Sequence, residues 1–427
     1  MASGRESSAP GSATTATGAS APLPRARYLV VAALFVLALV TYIDRAAISS
    51  AKGPMASELA LSDQAMGAVF SAFALGYALA QIPSGWFADR FGPRFALAAL
   101  VGLWSLFTTL TGTVSRLGSL LAIRFFFGVA EAGAFPGSAR AFYNWLPAGE
   151  RGLANGILFS GALLGGGIAF PICAWLLGIY NWRWAFYLLG IPGILWALLW
   201  ALLFRNHPRQ AVVQEAPERG AGMSLAQVFR SGPMALAMAQ YFCGNFTFFI
   251  CMSWMHPYLK ERFQLSPAEA AGYAMVPLLC GATANWASGM LVDFLYRSGY
   301  RAWSRRLPGM GGFLLAAGGI FAVSLAGSPV AAVACFAAAT FGVEMTISPS
   351  WAYCMDIGGK HSGSVGGAMN MVGNFGAFVS ANAFPYLHGL TGSGATYFSA
   401  AAVLNLAAIS CWLRMKPRAT GGTGARL

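Results

Sequence analysis

The sequence predicts an all-α membrane protein of twelve spanning helices in two pseudo-symmetric six-helix halves. Three observations carry that expectation. Of 427 residues, 57% are hydrophobic and only 10% are charged, where a soluble protein carries roughly a quarter charged; the mean hydropathy is +0.59. Apolar stretches long enough to cross a bilayer recur along the whole chain. The second half of the chain also repeats motifs of the first. A soluble fold is excluded, so the net charge of +13 is read as membrane topology and not as a nucleic-acid footprint.

Residues 1–24 are Ala, Ser, Gly and Thr with little charge, and are expected to form a disordered cytoplasmic tail. A cleavable leader is not expected, because the first apolar run begins near Tyr28 and is long enough to span. The N-terminal half, 25–204, is predicted to hold spans at 28–50, 65–86, 95–113, 117–143, 152–177 and 185–204, separated by Gly, Pro and charge. The longest charged connection, 205–230, is read as a cytoplasmic linker. The C-terminal half, 231–415, follows with spans at 231–257, 267–292, 307–327, 330–354, 363–388 and 393–413, and 416–427 is a second cytoplasmic tail. The least polar break is the Ala-Gly-Ser-Pro turn at 326–329.

With the N-terminus inside, twenty Lys and Arg residues fall on the cytoplasmic side and five (Lys52, Arg116, Arg183, Lys260, Arg262) on the other. That bias predicts both termini in the cytoplasm. Only Arg45 and Arg124 remain, both at membrane depth.

The halves echo each other. GWFADRFGPR at 85–94 is answered by GMLVDFLYRSGYR at 289–301, and FGVAEAGAFPGS at 127–138 by FGVEMTISPS at 341–350. Gly161, Gly165, Gly166 and Gly167 in span five correspond to Gly366, Gly367, Gly373 and Gly376 in span eleven, where close helix packing is their default role. Internal duplication of this kind marks secondary transporters, whose site lies at midplane between the repeats.

Ionisable groups inside spans point the same way, because each costs several kcal/mol unless it meets a partner or a polar cavity. Arg124 and Glu131 lie seven residues apart on one helix face, about 10 Å along the axis. That is too far for a direct pair and suited either to flanking a small molecule or to pairing with other helices. Asp44 and Arg45 are adjacent, so they point about 100° apart and need separate partners. Glu344 lies mid-span, near the counterpart of Glu131. Three carboxyls against two guanidiniums leave excess negative charge, so at least one carboxyl is expected to take up a proton, as a proton carrier must.

The Gly-x-x-x-Asp-Arg-x-Gly pattern from Gly85, with Asp89, Arg90 and then Arg94, resembles the loop signature of the major facilitator superfamily; its second-half echo, Gly289 to Asp293, is degenerate. At the membrane surface these charges are expected to cap and pair with helix ends as a gate. TYIDRAAIS in span one, together with Arg124 and Glu131 in span four, resembles the anion:cation symporter family of that superfamily, over residues 25–415. The galactonate-type proton symporters are the most similar in the first half. The resemblance implies proton coupling at Asp44 and Glu131 and a substrate carboxylate at Arg124; it assigns no role to Glu344, which is a third candidate carrier on its mid-span position and the excess of carboxyls alone. It implies further contacts from Arg45, Tyr42 and Tyr77. GGAMNMVGNFGAF adds Asn370 and Asn374, as hydroxyl-binding or packing residues. The chain departs from the galactonate type at Ala162, where those members carry Gln in span five.

No nucleotide loop or catalytic set is discernible, and the four histidines are dispersed. The seven cysteines lack metal-like spacing, so neither a metal nor a cofactor is expected. The expectation is a non-enzyme: a monomeric inner-membrane transporter importing a small organic anion with protons by alternating access. The alternatives are an antiporter or uniporter, or a non-transporting sensor.

Overall fold

The computed structural model describes residues 25–208, 225–391 and 394–415. The expected tails and most of the linker therefore lie outside the described residues. Among the described residues there are helices and no strands.

Among the described residues, eleven stretches are long and apolar enough to cross a membrane. One of them, Pro329–Thr391, spans 63 residues and folds as Pro329–Met345, Ile347–Gly358 and Ser362–Thr391, which makes two crossings. The expected twelve spans follow. In order they are Ala26–Ser50, Asp63–Phe91, Pro93–Thr111, Leu117–Trp145, Arg151–Ile179, Trp182–Leu203, Gly232–Ser253, Pro267–Arg297, Trp303–Val323, Pro329–Gly358, Ser362–Thr391 and Ala395–Arg414.

Spans four and ten differ from the expected continuous helices. Span four breaks between Leu117–Glu131 and Ala134–Trp145, and span ten between Pro329–Met345 and Ile347–Gly358. The cause is local. Pro136 and Pro349 lack an N–H, and their rings crowd the carbonyls four residues back, at Ala132 and Met345. Glu131 and Glu344 each lie five residues before that proline. The two carboxyls therefore occupy the same place in their half, at the end of a half-helix.

The packing repeats as the sequence does. Span one packs on five, two on four, and three on both four and six; span seven packs on eleven, eight on ten, and nine on both ten and twelve. Between halves, span two meets eleven and span five meets eight. Glycine makes those two crossings close. A Cβ on Gly85 would lie 2.3 Å from the Gly363 carbonyl oxygen, and one on Gly289 2.7 Å from the Gly152 carbonyl oxygen.

Carboxylates seal the same crossings at the end of the bundle where both termini emerge. Asp89 accepts from the Gly363 and Ser364 N–H groups at 2.9 and 2.7 Å, and from the Ser364 hydroxyl at 2.7 Å. Asp293 accepts from the Gly152 and Leu153 N–H groups at 2.9 and 2.8 Å. Each aspartate thus satisfies orphan donors at the start of a helix in the opposite half. Asp356 joins Arg151 of the first half, at 3.3 Å, to Arg305 of the second, at 3.1 Å. At the other end, the ion pairs Lys52–Asp63 and Arg183–Glu58 stay inside the first half. Arg90 is exposed, and Arg94 bonds the Ala201 carbonyl within its own half, so of the expected gate residues Gly85 and Asp89 are the two at the crossing.

Candidate functional site

Between the halves lies a cavity of about 610 Å³, part of it continuous with solvent. Spans one, two, four, five, seven, ten and eleven all contribute to its wall, through residues such as Tyr42, Tyr77, Phe135, Phe159, Tyr241 and Asn370.

Two charged side chains stand in that wall, Arg45 from the first half and Glu344 from the second. The Nε of Arg45 donates to Glu131, whose side chain is fully buried, whereas Arg45 keeps 23% exposure. The guanidinium is held against the rings of Tyr77, Tyr42 and Phe73, at 4.5, 5.0 and 5.4 Å from their centroids. Its Nη2 and the second carboxylate oxygen of Glu131 have no hydrogen-bond partner.

Arg124 does not reach the wall. It is 2% exposed, with its guanidinium 4.4 Å from the Phe127 ring and 5.1 Å from the Phe73 ring, and its Nε has no acceptor. Asp44 is 1% exposed, with the Trp104 indole and the Thr108 hydroxyl beside its carboxyl. Arg124 lies within electrostatic range of Asp44, Glu131 and Arg45, so these four form one buried cluster beneath the wall. Fully ionised, its charges cancel. The sequence placed Arg124 and Glu131 on one face; the structure gives Glu131 a partner from another helix instead.

Asn370 crosses the cavity. Its amide donates to the Tyr77 hydroxyl at 3.3 Å and to Gln81 at 3.1 Å, tying span eleven to span two. Asn374 lines the wall but spends its amide on the Asn370 carbonyl of its own helix. Glu344 accepts from Asn285 of span eight. Sequence reasoning missed Gln81, Asn285 and Tyr241. The first two were findable as amides at mid-depth in apolar helices; Tyr241 carried no such mark. Among the described residues, no group of His, Cys, Asp and Glu could hold a metal.

Residues 34–381 match the Major Facilitator Superfamily. The chain belongs to that superfamily. Members of the superfamily are transporters, and the chain is accordingly no enzyme. A probable sulfoacetate transporter of Cupriavidus necator is 33% identical over 395 residues, covering 86% of this chain and 89% of the relative. A probable galactarate/D-glucarate transporter of Bacillus subtilis is 30% identical over 86% of this chain and 87% of its own. A D-galactonate transporter of Escherichia coli is 28% identical over 82% and 87%. Among solved structures, the E. coli fucose:proton symporter superposes with a TM-score of 0.73 at 14% identity, over 92% of this chain and 100% of that one. A proton:xylose symporter gives 0.72 at 15%, over 91% and 96%. These last two speak to the superfamily fold alone.

Proposed function

We propose that this protein is a secondary active transporter that imports a small organic anion, a sugar acid or related hydroxy-carboxylate, by proton symport through alternating access. The observation that carries the reading is Arg45: among the described residues it is the one cation in the cavity wall, and it is already held by a buried carboxylate, Glu131. Glu131 takes only the Nε, so an anion that engages the guanidinium through Nε competes with Glu131 for that donor and for the charge. Protonating Glu131 removes the competitor, so proton and substrate favour each other, and linkage makes the effect reciprocal. The planar guanidinium suits a carboxylate. Tyr42, Tyr77, Asn370 and Asn374 supply hydroxyl and amide groups around it.

Asp44 is the second carrier in this scheme, because a carboxyl buried away from water is costly to ionise. Arg124 balances Asp44 and Glu131 from behind the wall. The relatives' names, all transporters of acids, support the substrate class. The Lys and Arg bias places the termini in the cytoplasm, which makes the sealed end the inner one and this state outward-facing. Return then requires Asp89 and Asp293 to let go of the opposite half. The protein acts as a monomer in the bacterial inner membrane.

Reconstituted vesicles test this. An inward proton gradient is expected to drive accumulation of a sugar acid above its equilibrium level, and Arg45→Lys to lose most binding although charge is kept. Uptake indifferent to the gradient would sink symport; absence of any acid-dependent flux would favour a sensor.

A further inference from the structure

We infer that Glu344 limits the substrate to a single acid group, by presenting a carboxylate that reads hydrogen-bond donors, hydroxyl or ammonium, at the end remote from Arg45. The inference rests on the organic-anion reading above and sets this chain apart from the sulfoacetate and galactarate/D-glucarate relatives, whose named substrates carry two acid groups. It starts from a broken symmetry. Glu131 and Glu344 occupy equivalent places, five residues before the proline that ends each half-helix. Glu131 is paired with Arg45, whereas Glu344 has no ion pair among the described residues. Its single hydrogen bond comes from the neutral amide of Asn285.

Glu344 is 5% exposed yet lines the cavity, so what remains open of it faces the site. Its neighbourhood is also polar and unsatisfied. Asn285 Oδ1 and Thr340 Oγ1 are buried without partners, and Glu344 and Thr340 both pack against Gly281. Among the described residues the wall thus holds one guanidinium, from the first half, and one carboxyl, from the second, and it is bipolar whenever Glu344 is ionised. A monoacid with a hydroxylated or ammonium-bearing tail complements both ends. A second acid group would meet a like charge with no cation to offset it, and such juxtapositions cost several kcal/mol.

The test uses the purified full-length protein and two sets of acids matched in size. One set is D-galactonate against galactarate. The other is isethionate (hydroxyl), taurine (ammonium) and sulfoacetate (second acid), which share a sulfonate and two carbons. Binding is followed by titration calorimetry for wild type, Glu344→Gln and Glu344→Asp. Wild type is expected to bind the monoacid at least about tenfold more tightly than the diacid in whichever set binds. Glu344→Gln, nearly isosteric, should bring that ratio within about threefold by gaining diacid affinity, while Glu344→Asp keeps the preference. Preference for taurine over isethionate identifies ammonium as the group read; the reverse identifies hydroxyl.

A wild-type ratio near one, or a preference that survives Glu344→Gln, overturns the assignment, and the wild-type ratio is readable even if the variants fold poorly. Failure of both sets to bind wild type is a different result: it removes the organic-acid reading and this inference with it.

Discussion

Glu131→Gln separates the proposed coupling from a merely structural ion pair. The substitution keeps the shape of the side chain and removes the charge that holds Arg45. In the wild type, an incoming carboxylate must displace a charge-assisted hydrogen bond worth about 1.5–3 kcal/mol net. Displacement strands a Glu131 carboxylate that is fully buried, with its other oxygen already lacking a donor. The glutamine carries no charge to strand. Each 1.4 kcal/mol is a factor of about ten, so Glu131→Gln should tighten anion binding by about ten- to a hundredfold at mildly alkaline pH. On the proposed coupling, wild-type Glu131 takes up a proton in the substrate-bound form as pH falls, and the two proteins should converge. The sign follows: wild-type affinity rises as pH falls, and the variant's affinity is flat. Calorimetry across that range reads the slope, and reconstituted vesicles read the consequence, with proton-driven accumulation lost while exchange of internal for external substrate survives. A variant that keeps the wild-type pH slope, or still concentrates substrate against its gradient, refutes the argument and passes coupling to Asp44 or Glu344.

Two further outcomes are expected. Asp356→Ala leaves the guanidiniums of Arg151 and Arg305, 9% and 1% exposed, facing one another unpaired; removing one partner of a buried ion set costs about 3–5 kcal/mol. A lower melting temperature should therefore accompany greater accessibility of the termini-side crossing to a thiol reagent at an introduced cysteine, and an unchanged melting point would contradict it. Glu58, away from the spans, is held below the ordinary glutamate range by the indole N–H of Trp182 at 2.6 Å and by Arg183 at 2.9 Å. A depressed folded-state pKa contributes stability that is complete above the unfolded value and lost as pH falls through the folded one. The Glu58-dependent part of the Trp182 fluorescence, obtained by difference from Glu58→Gln, should thus hold through neutral pH and change only below the usual glutamate range.

Much of the fold was legible because a bilayer leaves few choices. Backbone polar groups in lipid must be satisfied within the segment, so apolar length maps onto helices. The duplicated motifs announced two halves, and paired Asp89 with Asp293 before their contacts were seen. The breaks in spans four and ten were not read, although Pro136 and Pro349 were there to be weighed. Periodicity over a long apolar run hides an interruption of one or two residues.

Within the site, the ionisable residues at depth (Asp44, Arg45, Arg124, Glu131 and Glu344) were marked by the cost of burying charge, which composition alone exposes. Their partners were not. Spacing on one helix set Arg124 and Glu131 on a shared face, but which guanidinium Glu131 takes depends on how span one packs against the others. That packing puts Arg45 in the cavity wall and Arg124 behind it. The same holds for Glu344: the sequence shows a carboxylate at depth, and only the assembled second half shows that its neighbour is an amide and not a cation. Identity and depth are properties of the chain, whereas pairing is a contact at long sequence separation, decided by the packing of helices.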